Sequence, residues 1–457
     1  MTLRSRNYRV TVGDGGVPVA ADSDVLVVGG GTAGVVAALA AARNGANTVL
    51  IENLGFLGGS QSAALVTPIM DFHCDGKPLI TGIHLEMIDR VNALGENDGV
   101  WHNPEVLKRV YEDMCAEASV ELRYYTQAVD VLMSGKSIVG VLAAAKAGLE
   151  GFLAKQVIDC TGDADVAVAA GVPCQKGRES DGMNQPASLR FIAGGVDAER
   201  LASFLRGRGH PVPDLAHIEV GYAKGGAQNL GDLWEAGAAR GEIPAGDEGV
   251  YIQFFALPGC PGLVAFNCPR VCRVDGTDSA SLTWAAIEGR RRIEKLLSFC
   301  RRNIPGFEKA FVALSAPMVG IRESRRIEGE YTLTVHDFMA AAKFPDAVAK
   351  SRYPVDIHNP DREGVTVITL PPGDYHDIPY RCLVPKVVNQ LLVAGRCVSA
   401  TFEAQAAIRV QANCRALGEA AGTAAAMCAA EGVTPRRLNR PKLIERLRAQ
   451  GARVGAD

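Results

Sequence analysis

Unbroken apolar runs mark the start of this chain. Residues Asp24 to Val28 read as an apolar strand, Gly29 to Gly34 as a glycine turn, Val35 to Arg43 as a helix of small apolar residues, and Thr48 to Glu52 as a second apolar strand ending in an acid. Asn103, Pro104 and Glu105 supply an N-cap, a first-turn proline and an acid favoured by the dipole, opening a helix to about Ala118. Short β-prone runs follow at Val120 to Tyr125, Ala128 to Met133, Ser137 to Ala145 and Leu153 to Ile158, with Ser134, Gly135 and Lys136 turning the middle pair. The last run leads into Thr161, Gly162 and Asp163 and then a helix rich in Ala and Val.

From about Val172 to Val388 the glycine-turn pattern disappears. Helices such as Ser279 to Arg302 mix with β-prone runs at Val250 to Leu257 and Val365 to Leu370. Asn389 to Arg396 is again strand then glycine, followed by an alanine-rich helix with Gly418 and Gly422 as close-packing points. The pattern predicts an α/β fold. A Rossmann-like domain, with a central parallel sheet and a small β-meander, is assembled from residues 1–171 and 389–457. Residues 172–388 form an inserted α+β substrate or cap domain, with room for returns to the first.

The glycine spacing carries the chemistry. Gly29 permits the tight turn, Gly31 lets the backbone approach a pyrophosphate, and Gly34 lets helix and strand pack closely, while the helix's free N–H groups face the phosphate charge. Glu52, eighteen residues past Gly34, stands where a carboxylate accepts from ribose hydroxyls. The loop from Asn53 to Ser62 adds three glycines that allow close backbone approach, and Ser60, Gln61 and Ser62 supply neutral hydrogen-bonding groups. The segment at Thr161 to Asp163 returns to the same site.

Length and composition narrow the class. With 457 residues, 47% hydrophobic and 22% charged, the chain is long enough for two packed domains. A net charge of −3 gives no electrostatic footprint for nucleic acid or an anionic membrane, so the expected partner is a small molecule. The first twenty residues, with Arg4, Arg6 and Arg9, lack the apolar core of a signal peptide, and the apolar stretch from Ala404 to Ala430 is interrupted by Arg409, Arg415 and Glu419. A cytoplasmic protein without a membrane span is expected, with a homo-oligomer compatible. Twelve cysteines are scattered without a CxxC pair, and the densest group, Cys260, Cys268 and Cys272, lacks a fourth ligand, so no metal is expected.

Taken together, GGGTAG at Gly29 to Gly34, Glu52, LGGSQS at Leu57 to Ser62, VIDCTGDADVA at Val157 to Ala167 and LLVAGR at Leu391 to Arg396 resemble the FAD-dependent oxidoreductases of the two-dinucleotide-binding-domain group. More narrowly, Gly320 to Gly329, Ile378 to Pro385 and Glu403 to Asn413 look like a bacterial subfamily distantly related to the flavoproteins of heterodisulfide reductase and fumarate reductase. The resemblance implies FAD as cofactor. It implies that Gly29, Gly31, Thr32, Ala33 and Gly34 bind the pyrophosphate, that Glu52 with Asn53 meets the adenosine ribose, and that Gly59, Ser60 and Gln61 line the flavin side. Backbone groups of Ala128 and Val129 would meet adenine, and Thr161, Gly162 and Asp163 would approach the cofactor's middle. Gly395, Arg396 and the helix start at Gln411, Ala412 and Asn413 would complete the pocket, the helix dipole stabilising negative charge on reduced flavin. Arg396 stands where relatives often have an acid, and Phe402 where they often have histidine.

Only one GxGxxG occurs, and no redox cysteine pair accompanies it, so direct oxidation of a pyridine nucleotide is disfavoured. The expected chemistry is hydride transfer between flavin N5 and a small polar organic substrate held by the middle domain, with oxygen, quinone or a protein as the other electron partner. His73 is a candidate proton carrier, Arg322, Arg325 and Arg326 candidate carboxylate clamps, and Tyr380 with Arg381, beside Tyr375, His376 and Asp377, a candidate substrate wall. His84 and His358 stand alone among helical or turn residues and are set aside. Two other readings stay open. One is reduction of an activated alkene with Arg322 or Arg325 as proton donor. The other is an electron-transfer subunit, which the lack of a cysteine-rich cluster module disfavours.

Overall fold

The computed structural model describes residues 2–4, 9–11, 16–70, 72–94, 101–221, 230–243, 252–360 and 365–455. Arg6, Val250 and Tyr251, which belong to segments read above, lie outside the described residues.

Strand β1 (Val19–Val28), helix α1 (Thr32–Arg43) and strand β2 (Thr48–Ile51) form the first βαβ unit. Val25 to Val28 and Thr48 to Ile51 are buried on both faces, as an inner parallel strand requires, which is why their apolar runs do not alternate. Helix α2 (Ile83–Ala93) and helix α3 (Pro104–Glu117) follow, the latter capped by Asn103, whose side chain accepts from the Glu105 N–H. Strand β3 (Glu121–Arg123) then joins β2 in parallel, and β4 (Gln127–Ser134), β5 (Ser137–Ala145) and β6 (Gly148–Asp159) form the antiparallel meander.

Strand β6 links the two halves of this seven-stranded sheet. Its first half pairs antiparallel with β5, while Val157 to Asp159 lie parallel to β1 on one side and to the late strand Leu391–Val393 on the other. The chain therefore closes its nucleotide-type sheet with a strand more than 200 residues further on. Short helix α4 (Asp165–Ala169) leaves the end of β6.

A second, five-stranded antiparallel sheet follows: β7 (Phe191–Gly194), β8 (Glu219–Val220), β9 (Phe254–Ala256), β10 (Val264–Phe266) and β11 (Phe311–Ser315), in the order β8-β9-β10-β7-β11. Helix α5 (Ser279–Asn303) packs with it over an aromatic core, in which Phe191 stacks on Phe266 at 4.3 Å and Trp101 on Phe255 at 3.7 Å. Past β11 the chain returns to the first core. Leu333, Phe338, Val348, Val355, Ile378, Tyr380 and Leu383 share a hydrophobic cluster with α1 and with helix α6 (Gln411–Glu431).

Helices α1 and α6 are buried almost all round, so each reads as apolar on every face. They pack backbone to side chain. A Cβ on Gly418 would stand 2.2 Å from the Ala33 carbonyl oxygen, and one on Gly422 2.1 Å from that of Ala37. Further along α6, the buried Glu419 carboxylate accepts from the Ile83 N–H at 3.2 Å and so caps α2, whose own N-cap, Gly82, has no side chain to offer. Gly82 adopts φ +64, and a Cβ there would stand 2.6 Å from that carboxylate.

Burial pushes the Glu419 carboxyl up to about 7, against the pull of the Ile83 N–H and of Arg43. The folded state thus binds this proton more tightly than the unfolded chain, so the group stabilises the fold below pH 4.5 and that contribution is lost as pH rises through 7. Glu419→Gln, which keeps an acceptor for Ile83, is expected to match wild type at pH 4.5 and to exceed it at pH 8, by on the order of 1–3 kcal/mol. Thermal melts at the two pH values check this, and a variant less stable at pH 8 contradicts it.

Candidate functional site

The glycine turn between β1 and α1 is built for backbone contact on both sides. Gly29 holds φ +96, donates its N–H to Ile51 O at 2.9 Å, and would drive a Cβ to 2.7 Å from Cys160 O. A Cβ on Gly34 would lie 1.8 Å from Gly29 O. The second glycine loop is stitched to the first: Gly58 N–H donates to Gly30 O at 2.9 Å, and the Thr32 and Ser60 hydroxyls stand 3.3 Å apart. A Cβ on Gly59 would come within 2.7 Å of Gly31 Cα, whereas one on Gly31 meets nothing nearer than 3.8 Å. Gly31 therefore borders open space.

Helix α1 starts there with no side-chain cap and no acid in its first turn. Its first N–H groups and dipole stand ready for an anion, and the space beside Gly31 admits one. At the end of β2, Glu52 is buried and accepts one backbone N–H on each oxygen, from Gly30 at 2.6 Å and from Leu54 at 2.8 Å, with its neighbour Asn53 exposed. Burial raises its pKa against these N–H groups. Thr126 N–H donates to Glu52 O at 2.9 Å, which brings the start of β4, with half-buried Ala128 and exposed Val129, to the same edge.

The middle of the site is ionic. Buried Asp159 accepts from Thr161 N–H, the Thr161 hydroxyl and Ala167 N–H, which fixes the turn at Gly162. Arg396, following Gly395 (φ +101), pairs with Asp163 at 2.7 Å, and a Cβ on Gly162 would strike its guanidinium. The basic residue found where relatives often carry an acid thus has its acid on the facing turn. Arg325 donates to Asp163 O at 2.6 Å and pairs with Asp165, so its charge is committed to this turn.

Helix α6 is the second helix to enter the site uncapped. Val410 offers no side-chain cap and the first turn holds no acid. Gln411 donates to Val66 O at 2.6 Å and accepts from the Gln61 amide at 2.8 Å; Ala412 is buried between them and Asn413, whose amide donates to Ser351 Oγ at 2.9 Å. Behind Gln61 runs a polar row missed in the sequence. Tyr111 OH donates to Gln61 Oε1 at 3.0 Å, Arg415 Nε donates to Tyr111 OH at 3.1 Å, and Arg415 Nη1 donates to His84 Nδ1 at 2.9 Å. Burial and the Arg415 charge hold His84 well below the usual histidine range. Phe72 lies between His84 and the half-buried His73, at 4.4 and 4.3 Å between ring centres.

Other predicted residues land elsewhere. Tyr380 is buried in the first core and its hydroxyl donates to Pro435 O at 3.1 Å; Arg381 pairs with Asp346 at 2.9 Å and lies over the Tyr331 ring. Arg322 donates to Pro186 O at 2.6 Å and Ser188 Oγ at 2.9 Å, and Arg326 is buried in a pair with Glu323. Around Arg322 the fold gathers a cluster that spacing could not show: Tyr353, Asp356, His358 and Arg409. Among the described residues no group of three or more His, Cys, Asp or Glu could hold a metal ion, and no helix is long and apolar enough to cross a membrane.

The sheet, the two glycine loops and the two uncapped helix starts define a dinucleotide-binding α/β protein. Residues 24–448 match the family model of the FAD-dependent oxidoreductases, and the chain belongs to that family. It is an FAD-dependent enzyme, and the open glycine edge and free helix N–H groups fit the anionic middle of that cofactor. Similar solved structures include a geranylgeranyl bacteriochlorophyll reductase-like protein from Thermoplasma acidophilum (15% identity over 95% of this chain and 83% of that one, TM-score 0.45). A flavin-dependent brominase, Bmp2, shows 13% identity over 94% and 83%, TM-score 0.44. The p-nitrophenol 4-monooxygenase of Pseudomonas putida shows 14% over 91% and 82%, TM-score 0.44. A comparison with curated protein sequences finds no match.

Glu52→Gln tests whether the end of β2 serves the cofactor. An amide keeps one acceptor but cannot serve both the Gly30 and Leu54 N–H groups, so FAD affinity is expected to fall about tenfold, the equivalent of roughly one hydrogen bond. Fluorescence titration of the apoprotein with FAD checks it, and an unchanged Kd limits Glu52 to shaping the loop.

Proposed function

We propose that this FAD enzyme moves a hydride between a small polar organic substrate and flavin N5, with the substrate carried between the first core and the part of residues 172–388 built on the five-stranded sheet. The observation that carries the reading is the convergence of two uncapped, acid-free helix N-termini, of α1 and α6, on glycine loops tied to each other through Gly58 and Gly30 and to α6 through Gln61 and Gln411. One positive end suits a pyrophosphate; the other suits the negative charge that a reduced flavin ring carries.

In this reading Gly29, Gly31, Thr32, Ala33 and Gly34 hold the pyrophosphate, Glu52 and Asn53 the ribose, and the backbone at Ala128 and Val129 the adenine. Gly59, Ser60, Gln61, Thr161, Gly162, Asp163, Gly395 and Arg396 line the path to the ring, and Gln411, Ala412 and Asn413 meet its pyrimidine edge. Tyr111 and Arg415 keep the Gln61 side chain turned toward Gln411. His73, at the outer end of the aromatic row that reaches His84, moves the substrate proton.

A second reading, reduction of an activated alkene, keeps Arg322, whose guanidinium donates to Pro186 O and Ser188 Oγ, as its proton donor. Arg325, held by Asp163 and Asp165, does not serve as its proton donor. Anaerobic mixing separates the two: reduction of bound flavin by hydroxy acids or amines supports the first, and reoxidation of photoreduced enzyme by unsaturated acids alone supports the second. His73→Ala is expected to retain its flavin and to be reduced by substrate about 10²–10⁴-fold more slowly, the usual worth of a positioned proton carrier. Reduction at the wild-type rate removes His73 from the role.

A further inference from the structure

A cleft of about 790 Å³ opens between the C-terminal end of α1, one face of α2 and the residues just past the last helix, Arg440–Ala449. Ala40 and Arg43 line it, eight and eleven residues along α1 from Thr32, which places it about 12–16 Å from the glycine turn. None of its lining residues is one assigned above to the cofactor.

Glu419 of α6 stands in the wall of this cleft. Its side chain is 3% exposed, and its two oxygens differ. Oε2 accepts from the Ile83 N–H at 3.2 Å, whereas Oε1 has no hydrogen-bond partner among the described residues. Gly82 lines the cleft beside it, and the Cβ it lacks would stand 2.6 Å from both oxygens, so a glycine there keeps the space at the carboxylate clear. A carboxylate so nearly buried draws a charged donor more strongly than one on the open surface.

The other charges around the cleft are answered. Arg43 pairs with Glu86 through both guanidinium N–H groups, and Arg90 pairs with Glu117 and Glu86. These two cations and two anions cancel. Arg43 and Glu86 also act on Glu419 with opposite signs, and Arg453, which lies against Glu419 outside the cleft, donates to Pro78 O. What is left over is negative: Glu419 within, and Asp89, exposed at the rim and without an ion pair among the described residues. The positive end of α2 is already met by Glu419 Oε2, while the negative end of α1 adds to the same wall. Ala40, Ile83, Leu85 and Ala93 supply the apolar part of the lining.

We propose that this cleft binds a small aliphatic amine, whose ammonium donates to Glu419 Oε1 while its stem lies along Ala40, Ile83 and Leu85. An ammonium is a compact charge with three donors, which suits a single deep oxygen. A carboxylate would meet the surplus negative charge, and an alcohol brings one donor and no charge. The site rests on no part of the flavin reading.

The probe is n-butylamine, with 1-butanol and butyrate as neutral and anionic counterparts of the same chain length. Calorimetric titration of the purified protein at pH 8 is expected to give one amine per chain, with the alcohol and the acid about tenfold weaker or more. Between pH 8 and pH 6 the amine stays charged while the Glu419 carboxyl, pushed up by burial to about 7, regains its proton, so amine affinity is expected to fall about tenfold. Glu419→Gln keeps an acceptor for the Ile83 N–H but removes the charge. It is expected to weaken the amine at pH 8 about tenfold or more and to abolish the pH dependence. Should that variant fail to fold, Ala93→Phe, at an exposed position in the lining, fills the cleft and is expected to weaken the amine to a similar degree. Equal affinity of the wild type for amine and alcohol, or full amine affinity in Glu419→Gln, overturns the proposal.

Discussion

Everything in this structure is arranged around the close approach of α1 to what lies on either side of it. Gly34 lets the helix start against the Gly29 carbonyl, and Gly418 and Gly422 let α6 lie against the Ala33 and Ala37 carbonyls. A methyl group at any of these points would stand about 2 Å from a carbonyl oxygen, far inside van der Waals contact. Because α6 is seated that tightly, its first turn is fixed relative to the first turn of α1. Residues some 380 positions apart in sequence thereby become two walls of one site. The late strand Leu391–Val393, in register with Val157 to Asp159, sets the same relation from the sheet side.

The electrostatics follow from that geometry. Two helix N-termini point into the site with neither cap nor acid, and Arg415 adds a fully buried cation whose hydrogen-bond partners, Tyr111 and His84, are neutral. Such an interior is costly without an anion to meet it, and a dinucleotide supplies two phosphates and, on reduction, a charged ring. Where the fold needs no ligand charge, it neutralises itself: Arg396 with Asp163, Arg325 with Asp165, Arg326 with Glu323 and Arg381 with Asp346 are all paired.

The parts of the fold legible in the sequence were those encoded locally. The first βαβ unit, the Asn103 cap and the glycine points on α6 each depend on residues within one element or one turn, and each was read at nearly its observed place; the meander was read too, although its last strand begins at Gly148 rather than Leu153. Room for a return to the first core was left within residues 172–388, but its place, residues 325–384, was not legible, because ordinary apolar packing makes it and no turn fingerprint marks it. Tyr380 and Arg381 looked like a polar loop, yet a buried tyrosine needs only one acceptor, and Pro435 O provides it. His84 looked like a lone polar residue on a helix; its partner, Arg415, is 331 residues away. The same holds for His358, whose neighbours arrive from Gln185, Arg322 and Arg409.

Whether the two uncapped helix starts and their glycine loops hold FAD is open to direct measurement. The most direct measurement is the visible spectrum of the purified protein, before and after acid precipitation. A flavin spectrum that moves to the supernatant, or that develops when FAD is added to colourless protein, is the expected result. Protein that is colourless as isolated and stays so with added FAD would contradict it.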